Sequence, residues 1–251
     1  MTLGDVSLWQ YLVVAAVSFG AATIGGVTGY GTGLLLPPVL LPIVGPEAVV
    51  PIISVAALMT NGSRLAAFRS DFDRGKALAV GCFAFPACIA GAYGYTLLSG
   101  PGITLLIGSV LIVLVPLRRL LLRRQRHLNG ASLNAAGLGY GLLAGGTAGS
   151  GVVLITILLA AGLSGTAVVA TDAGISMTLG LAKILVFQSS GFLPLSSVAL
   201  ALLIGVCATP GAFVAKRLTS GLTNRAHIAI LDVVVVAGGL LLIVQGLRNS
   251  G

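Results

Sequence analysis

Two glycine-rich interruptions of apolar sequence limit what this chain can fold into. The first is Gly25-Gly26-Val27-Thr28-Gly29-Tyr30-Gly31-Thr32-Gly33; the second, 120 positions later, is Gly145-Gly146-Thr147-Ala148-Gly149-Ser150-Gly151. Glycine inside a helix costs about 1 kcal/mol relative to alanine, so these clusters suit a turn or a close approach better than an unbroken helix. Only 8% of the residues are charged and 57% are apolar, whereas a soluble domain carries roughly 25% charged residues. The breaks therefore sit in a membrane protein. In lipid, non-helical backbone survives only where protein buries it or where it lines an aqueous cavity. Two such breaks at matching places in two halves point to a transporter's binding site.

The apolar runs divide into ten helical segments. Residues 1–127 hold Trp9–Gly26, Gly31–Val44, Glu47–Phe68, Ala77–Leu98 and Ile103–Leu117. Residues 128–251 repeat the order with Leu133–Ala144, Gly151–Ala161, Thr166–Phe187, Leu195–Ala215 and Ile228–Val244. The second segment is short and carries Pro37, Pro38 and Pro42, which predicts a broken or re-entrant piece. The halves share more than hydropathy: Met59-Thr60-x-Gly62 returns as Met177-Thr178-x-Gly180, and Gly81-x-x-Ala84-x-Pro86 as Gly205-x-x-Ala208-x-Pro210. These matches read as a duplication.

Cations set the orientation of the halves. Four lie at the turn Arg64–Lys76, five at Arg118–Arg126 and three at Lys216–Arg225, together twelve of the fourteen. Placing all three turns in the cytoplasm satisfies the positive-inside rule. Glu47–Phe68 then runs inward and Thr166–Phe187 outward, so the repeats are inverted and both termini lie outside the cytoplasm. Met1–Asp5 lacks the basic stretch of a signal peptide, so the first apolar run is expected to be retained. The net charge of +8 is spent on these turns, which argues against nucleic-acid binding. Cys82, Cys88 and Cys207 fall inside apolar runs without metal-ligand spacing and read as packing residues. Neither a metal nor a cofactor is expected.

Several residues could carry chemistry. Helix N-termini expose unsatisfied amides and about half a positive charge, which suits an anion. The breaks place such amides at Tyr30, Gly31, Thr32 and Gly33 and again at Ser150, Gly151 and Val152, with hydroxyls from Thr28, Tyr30, Thr32, Thr147 and Ser150. Close helix packing by small residues is the competing explanation for Gly29, Gly149 and the other glycines. Arg64 and Lys183 each sit about 9 Å past mid-helix. Arg64, with basic neighbours, is expected to snorkel to the headgroups, whereas lone Lys183 is expected to line the pathway. Asp172 could pair with a cation, bond a hairpin or carry a coupling proton, and Asn61 and Gln188 could line the route. Glu47 reads as a first-turn acid, Asp232 as interfacial, and His127 and His227 as surface residues. There is no serine–histidine–acid set and no carboxylate pair, so no enzyme is expected.

Gly25-Gly26-x-x-Gly29-x-Gly31-x-Gly33-Leu34-Leu35-Leu36-Pro37, with Pro46 and Ala48 after it and a second copy ending in Gly149-Ser150-Gly151, resembles the signature of the sulfite exporter family TauE/SafE. The first break departs from the commoner run of consecutive glycines by inserting Tyr30 and Thr32. The resemblance implies export of sulfite, sulfoacetate or a related organosulfonate across the bacterial plasma (inner) membrane. A channel or carrier for another anion, a metal cation or an amino acid is the alternative. A coupling proton or Na+ and a homodimer stay open.

Overall fold

The computed structural model describes residues 7–28, 32–98, 100–124, 127–218, 236, 240, 243 and 244. All of their regular structure is helical. Helices α1 (Leu8–Thr28), α2 (Thr32–Val44), α3 (Pro46–Ala67), α4 (Arg74–Thr96) and α5 (Gly100–Arg124) make up the first half. Helices α6 (Gly130–Gly146), α7 (Gly151–Ala160), α8 (Thr166–Ser189) and α9 (Leu195–Leu218) follow. The expected segment Ile228–Val244, with Asp232, His227 and Arg225, falls almost wholly outside the described residues.

Five of these helices, α1, α3, α4, α8 and α9, are long and apolar enough to cross a membrane. Their outer faces are apolar as well: Leu78, Phe83, Tyr93, Leu181, Leu185, Leu202 and Val206 are exposed. A water-soluble protein does not show so much apolar surface, so those faces belong against lipid. The chain is an all-α integral membrane protein.

Three local expectations need correction. The run Pro37, Pro38 and Pro42 does not interrupt α2, which is helical from Thr32 to Val44; the segment is short rather than broken. Proline removes one donor and restricts its predecessor, but buried packing of Leu34, Leu36, Leu40 and Leu41 holds the turn geometry. The segment expected to end at Leu117 continues as α5 to Arg124, because arginine and leucine are good helix formers. Finally, the glycine breaks are narrower than the glycine clusters. Gly25 and Gly26 are helical in the last turn of α1 and Gly145 and Gly146 end α6, leaving Thr147–Ser150 as the non-helical stretch of the second break.

Gly145 shows why a glycine can be helical here. A Cβ on Gly141 would collide with the Ala84 carbonyl, and one on Gly145 with the Cys88 carbonyl. Gly137 faces Val80 in the same way. Glycines at four-residue spacing let the backbones of α6 and α4 touch. Residue numbers rise together along this seam, so α4 and α6 run parallel.

The contact between α3 and α8 runs the other way. Arg64 faces Asp172, Gly62 faces Met177, and Gly180 faces Leu58 and the Ser54 carbonyl, so these two helices are antiparallel. Around them α4 packs on α6 and α8, and α9 packs on α1 and α3.

Helix α7 has ten residues, about 15 Å, or half of a hydrocarbon core of about 30 Å. Its end is fixed by the Leu128 N–H, which donates to the Ala160 carbonyl at 2.8 Å. Because Leu128 lies two residues before α6, the α6–α7 pair is a hairpin that starts and finishes on one side. Its break lies at the inner end, where Thr147, Ala148 and Ser150 are buried.

Candidate functional site

Glycine chemistry brings the two breaks together. Gly149 has φ +83, a left-handed conformation that side chains disfavour. A Cβ there would strike Leu34, and a Cβ on Gly33 would lie 2.9 Å from the Gly149 nitrogen. The start of α2 and the tip of the second hairpin therefore meet backbone to backbone.

Around that contact lies a cavity of about 100 Å³. Thr32, Gly33, Gly149, Ser150 and Gly151 line it from the breaks, Asn61 and Arg64 from α3, Tyr140 from α6, and Asp172, Ser176 and Lys183 from α8. The first amides of α7 have no intrahelical acceptor, and they begin at this cavity.

The charged residues are placed by the antiparallel α3–α8 contact. Arg64 Nη2 donates to Asp172 Oδ2, 108 positions away in sequence. Arg64 is 7% exposed and Asp172 2%, so Arg64 does not snorkel as expected. It is three residues from the end of α3, on a side that α8 covers, and its guanidinium meets the Asp172 carboxylate. The Asp172 Oδ1 atom is buried and has no hydrogen-bond partner among the described residues. Lys183, half-buried and eleven residues further along α8, forms no ion pair among the described residues. The cavity therefore carries two cations against one carboxylate, besides the helix ends.

Asn61 is buried and lines the cavity. Gln188 is exposed in the last turn of α8 and does not line it. Thr28 closes α1, while Gly29, Tyr30 and Gly31 lie outside the described residues. Glu47 is exposed in the first turn of α3 and His127 is exposed before α6.

Sequence reasoning missed Tyr140 and Ser176. The Tyr140 hydroxyl lies beside Ser150 and Ser176 and near Asp172, so it links the hairpin tip to the ion pair. A large hydroxylated ring among the small residues of Gly137–Gly145 was the available signal. Ser176 follows Asp172 by one helical turn, so both occupy one face.

A small cavity with hydroxyl and amide donors and an excess of positive charge can hold a small anion. Drug-sized ligands need roughly 300–1,000 Å³, far more than is present. No curated protein and no solved structure matches this chain. The family model "Sulfite exporter TauE/SafE" matches residues 14–242, which includes both breaks, the Arg64–Asp172 pair and Lys183. The chain belongs to the TauE/SafE family of membrane transporters.

Proposed function

We propose that the protein is a secondary transporter that exports a small sulfur-containing anion, such as sulfite, sulfoacetate or a related organosulfonate, by alternating access. Its membrane is the bacterial plasma (inner) membrane. The observation that carries this reading is the convergence of both breaks, Arg64, Asp172 and Lys183 on one cavity. Thr32, Gly33, Gly149, Ser150 and Gly151 supply donors to the anion. Lys183 attracts the anion, while Arg64, Asp172 and Asn61 govern closure on the other side.

Alternating access needs two halves that can exchange roles. Residues 1–127 and 128–251 are read as inverted repeats. Equivalent helices related by a two-fold axis in the membrane plane run antiparallel, which is the arrangement of α3 and α8. The pairing of α4 with α6 likewise has its counterpart in α9 with α1, and α3 with α9 in α8 with α4.

A metal-cation carrier would want several carboxylates at one depth. Asp172 is the one carboxylate among the residues lining this cavity. Counterflow into liposomes, comparing sulfite, sulfoacetate, sulfate and a divalent cation, is the test. Exchange of sulfite or sulfoacetate is expected, and uptake of the cation without any anion would overturn the reading.

A further inference from the structure

Asp172 is an odd residue to find in an anion site. Its carboxylate lies on the same cavity as the Thr32 and Gly149–Gly151 donors and would repel the ligand they are meant to hold. Like charges roughly 6–8 Å apart at an effective dielectric near 20 oppose each other by a factor of about 30–100 in affinity. It also occupies Arg64 through Oδ2, leaving that guanidinium less free to serve the anion. Meanwhile Oδ1 faces no donor among the described residues.

We infer that anion binding is linked to uptake of one proton at Asp172, so that an anion and a proton occupy the site together; this rests on the anion-site reading above. The proton comes from the water on whichever side the cavity is open. It adds to the carboxylate at Oδ1, and no covalent bond to the anion forms. The neutral carboxyl no longer competes for Arg64, whose N–H groups turn to an anion oxygen. When the anion leaves, Arg64 recaptures the carboxylate and the proton returns to water. A neutral Asp172 raises the charge of the cavity's lining residues from one excess positive to two.

The groups facing Asp172 can be named element by element. Arg64 comes from α3, and Tyr140 from α6 with Ser150 from the tip. Lys183 and Ser176 lie on α8 itself, and Cys88 of α4 lies near Lys183. From the turn before α4, Asp73 donates its backbone N–H to Thr171 at 3.1 Å, while its carboxylate accepts from the Lys76 N–H at 2.9 Å. Of the carboxylates around α8 here, Asp172 is the one on the cavity.

The test uses the purified full-length protein with two probes, sulfite and methanesulfonate, over about pH 5.5–8, where methanesulfonate does not titrate. Wild-type affinity for methanesulfonate should rise as pH falls, by up to tenfold per pH unit where a full proton is taken up. Calorimetry of sulfite binding in two buffers of different ionisation enthalpy should give about one proton fewer for Asp172→Asn than for wild type. A flat wild-type methanesulfonate profile overturns the inference even if the variant does not fold. So does an Asp172→Asn protein that keeps the wild-type proton count. Failure of wild type to bind either probe at any pH is a different result, because it removes the anion site itself and this linkage with it.

Discussion

The two ends of the α3–α8 contact carry matching sequence motifs and different chemistry. At one end Arg64 meets Asp172. Met59-Thr60-x-Gly62 and Met177-Thr178-x-Gly180 lie 118 positions apart, and that offset makes Ser54 the counterpart of Asp172 and Ala182 the counterpart of Arg64. Both counterparts are fully buried, and the Ser54 hydroxyl donates to the Val50 carbonyl at 2.7 Å within its own helix. Small residues are evidently enough to pack this helix pair. A buried ion pair is a weak source of stability, since desolvating both groups offsets their attraction. The Arg64–Asp172 pair is therefore more than packing requires, since the Ser54 end joins the same two helices with small buried residues.

The largest effect comes from making the charged end half-charged. Arg64→Ala leaves Asp172 buried without its cation, and a loss of about 3–5 kcal/mol is expected, read as a drop in the melting temperature of purified protein in detergent. Arg64→Ala with Asp172→Ser copies the residues of the other end. That pair should regain most of the stability while anion counterflow stays lost. If the double variant transported like wild type, the contrast between the ends would have no functional meaning.

Next comes the tip. Gly149→Ala forces a side chain into φ +83 and onto Leu34, costing about 1–2 kcal/mol from the backbone alone; counterflow should fail. Gly139→Ala is the control, because a Cβ there meets nothing within 4 Å, and stability should rise by up to about 1 kcal/mol. Gly141 would make a poor control, since it packs on the Ala84 carbonyl.

Lys183→Met should lower apparent anion affinity by roughly tenfold, worth about 1.4 kcal/mol, with unchanged expression and melting. Wild-type affinity in that variant would return Lys183 to a lipid-facing role. The smallest effect is expected at the quiet end. Ser54→Ala removes one intrahelical hydrogen bond and should change stability by less than about 1 kcal/mol, with counterflow unaltered.

Much of this was legible from residues alone, and the limits have physical causes. Apolar runs gave the helices because lipid leaves the backbone no other way to satisfy itself. Helix ends were less readable: α5 runs seven residues past Leu117 to Arg124, because charge marks where water begins and not where a helix stops. The glycine clusters mixed two roles that composition cannot separate. Gly145 admits a neighbouring helix, whereas Gly149 turns the chain and touches Gly33. The Arg64–Asp172 pair was out of reach, since its register depends on how α3 crosses α8. Tyr140 was overlooked because a single hydroxyl in an apolar helix has no period to announce it.

The closed base of the α6–α7 hairpin also bears on how the chain is threaded during synthesis. Since Leu128 bonds Ala160, residues 130–160 return to the side on which they start and leave the net number of crossings unchanged. Parity, and with it the orientation of α8 and α9, is indifferent to whether this hairpin is present. Lengthening α7 from ten residues to the roughly 20 of a full span would carry the tip to the far side and still bring the chain back, so α8 and α9 would keep their orientation.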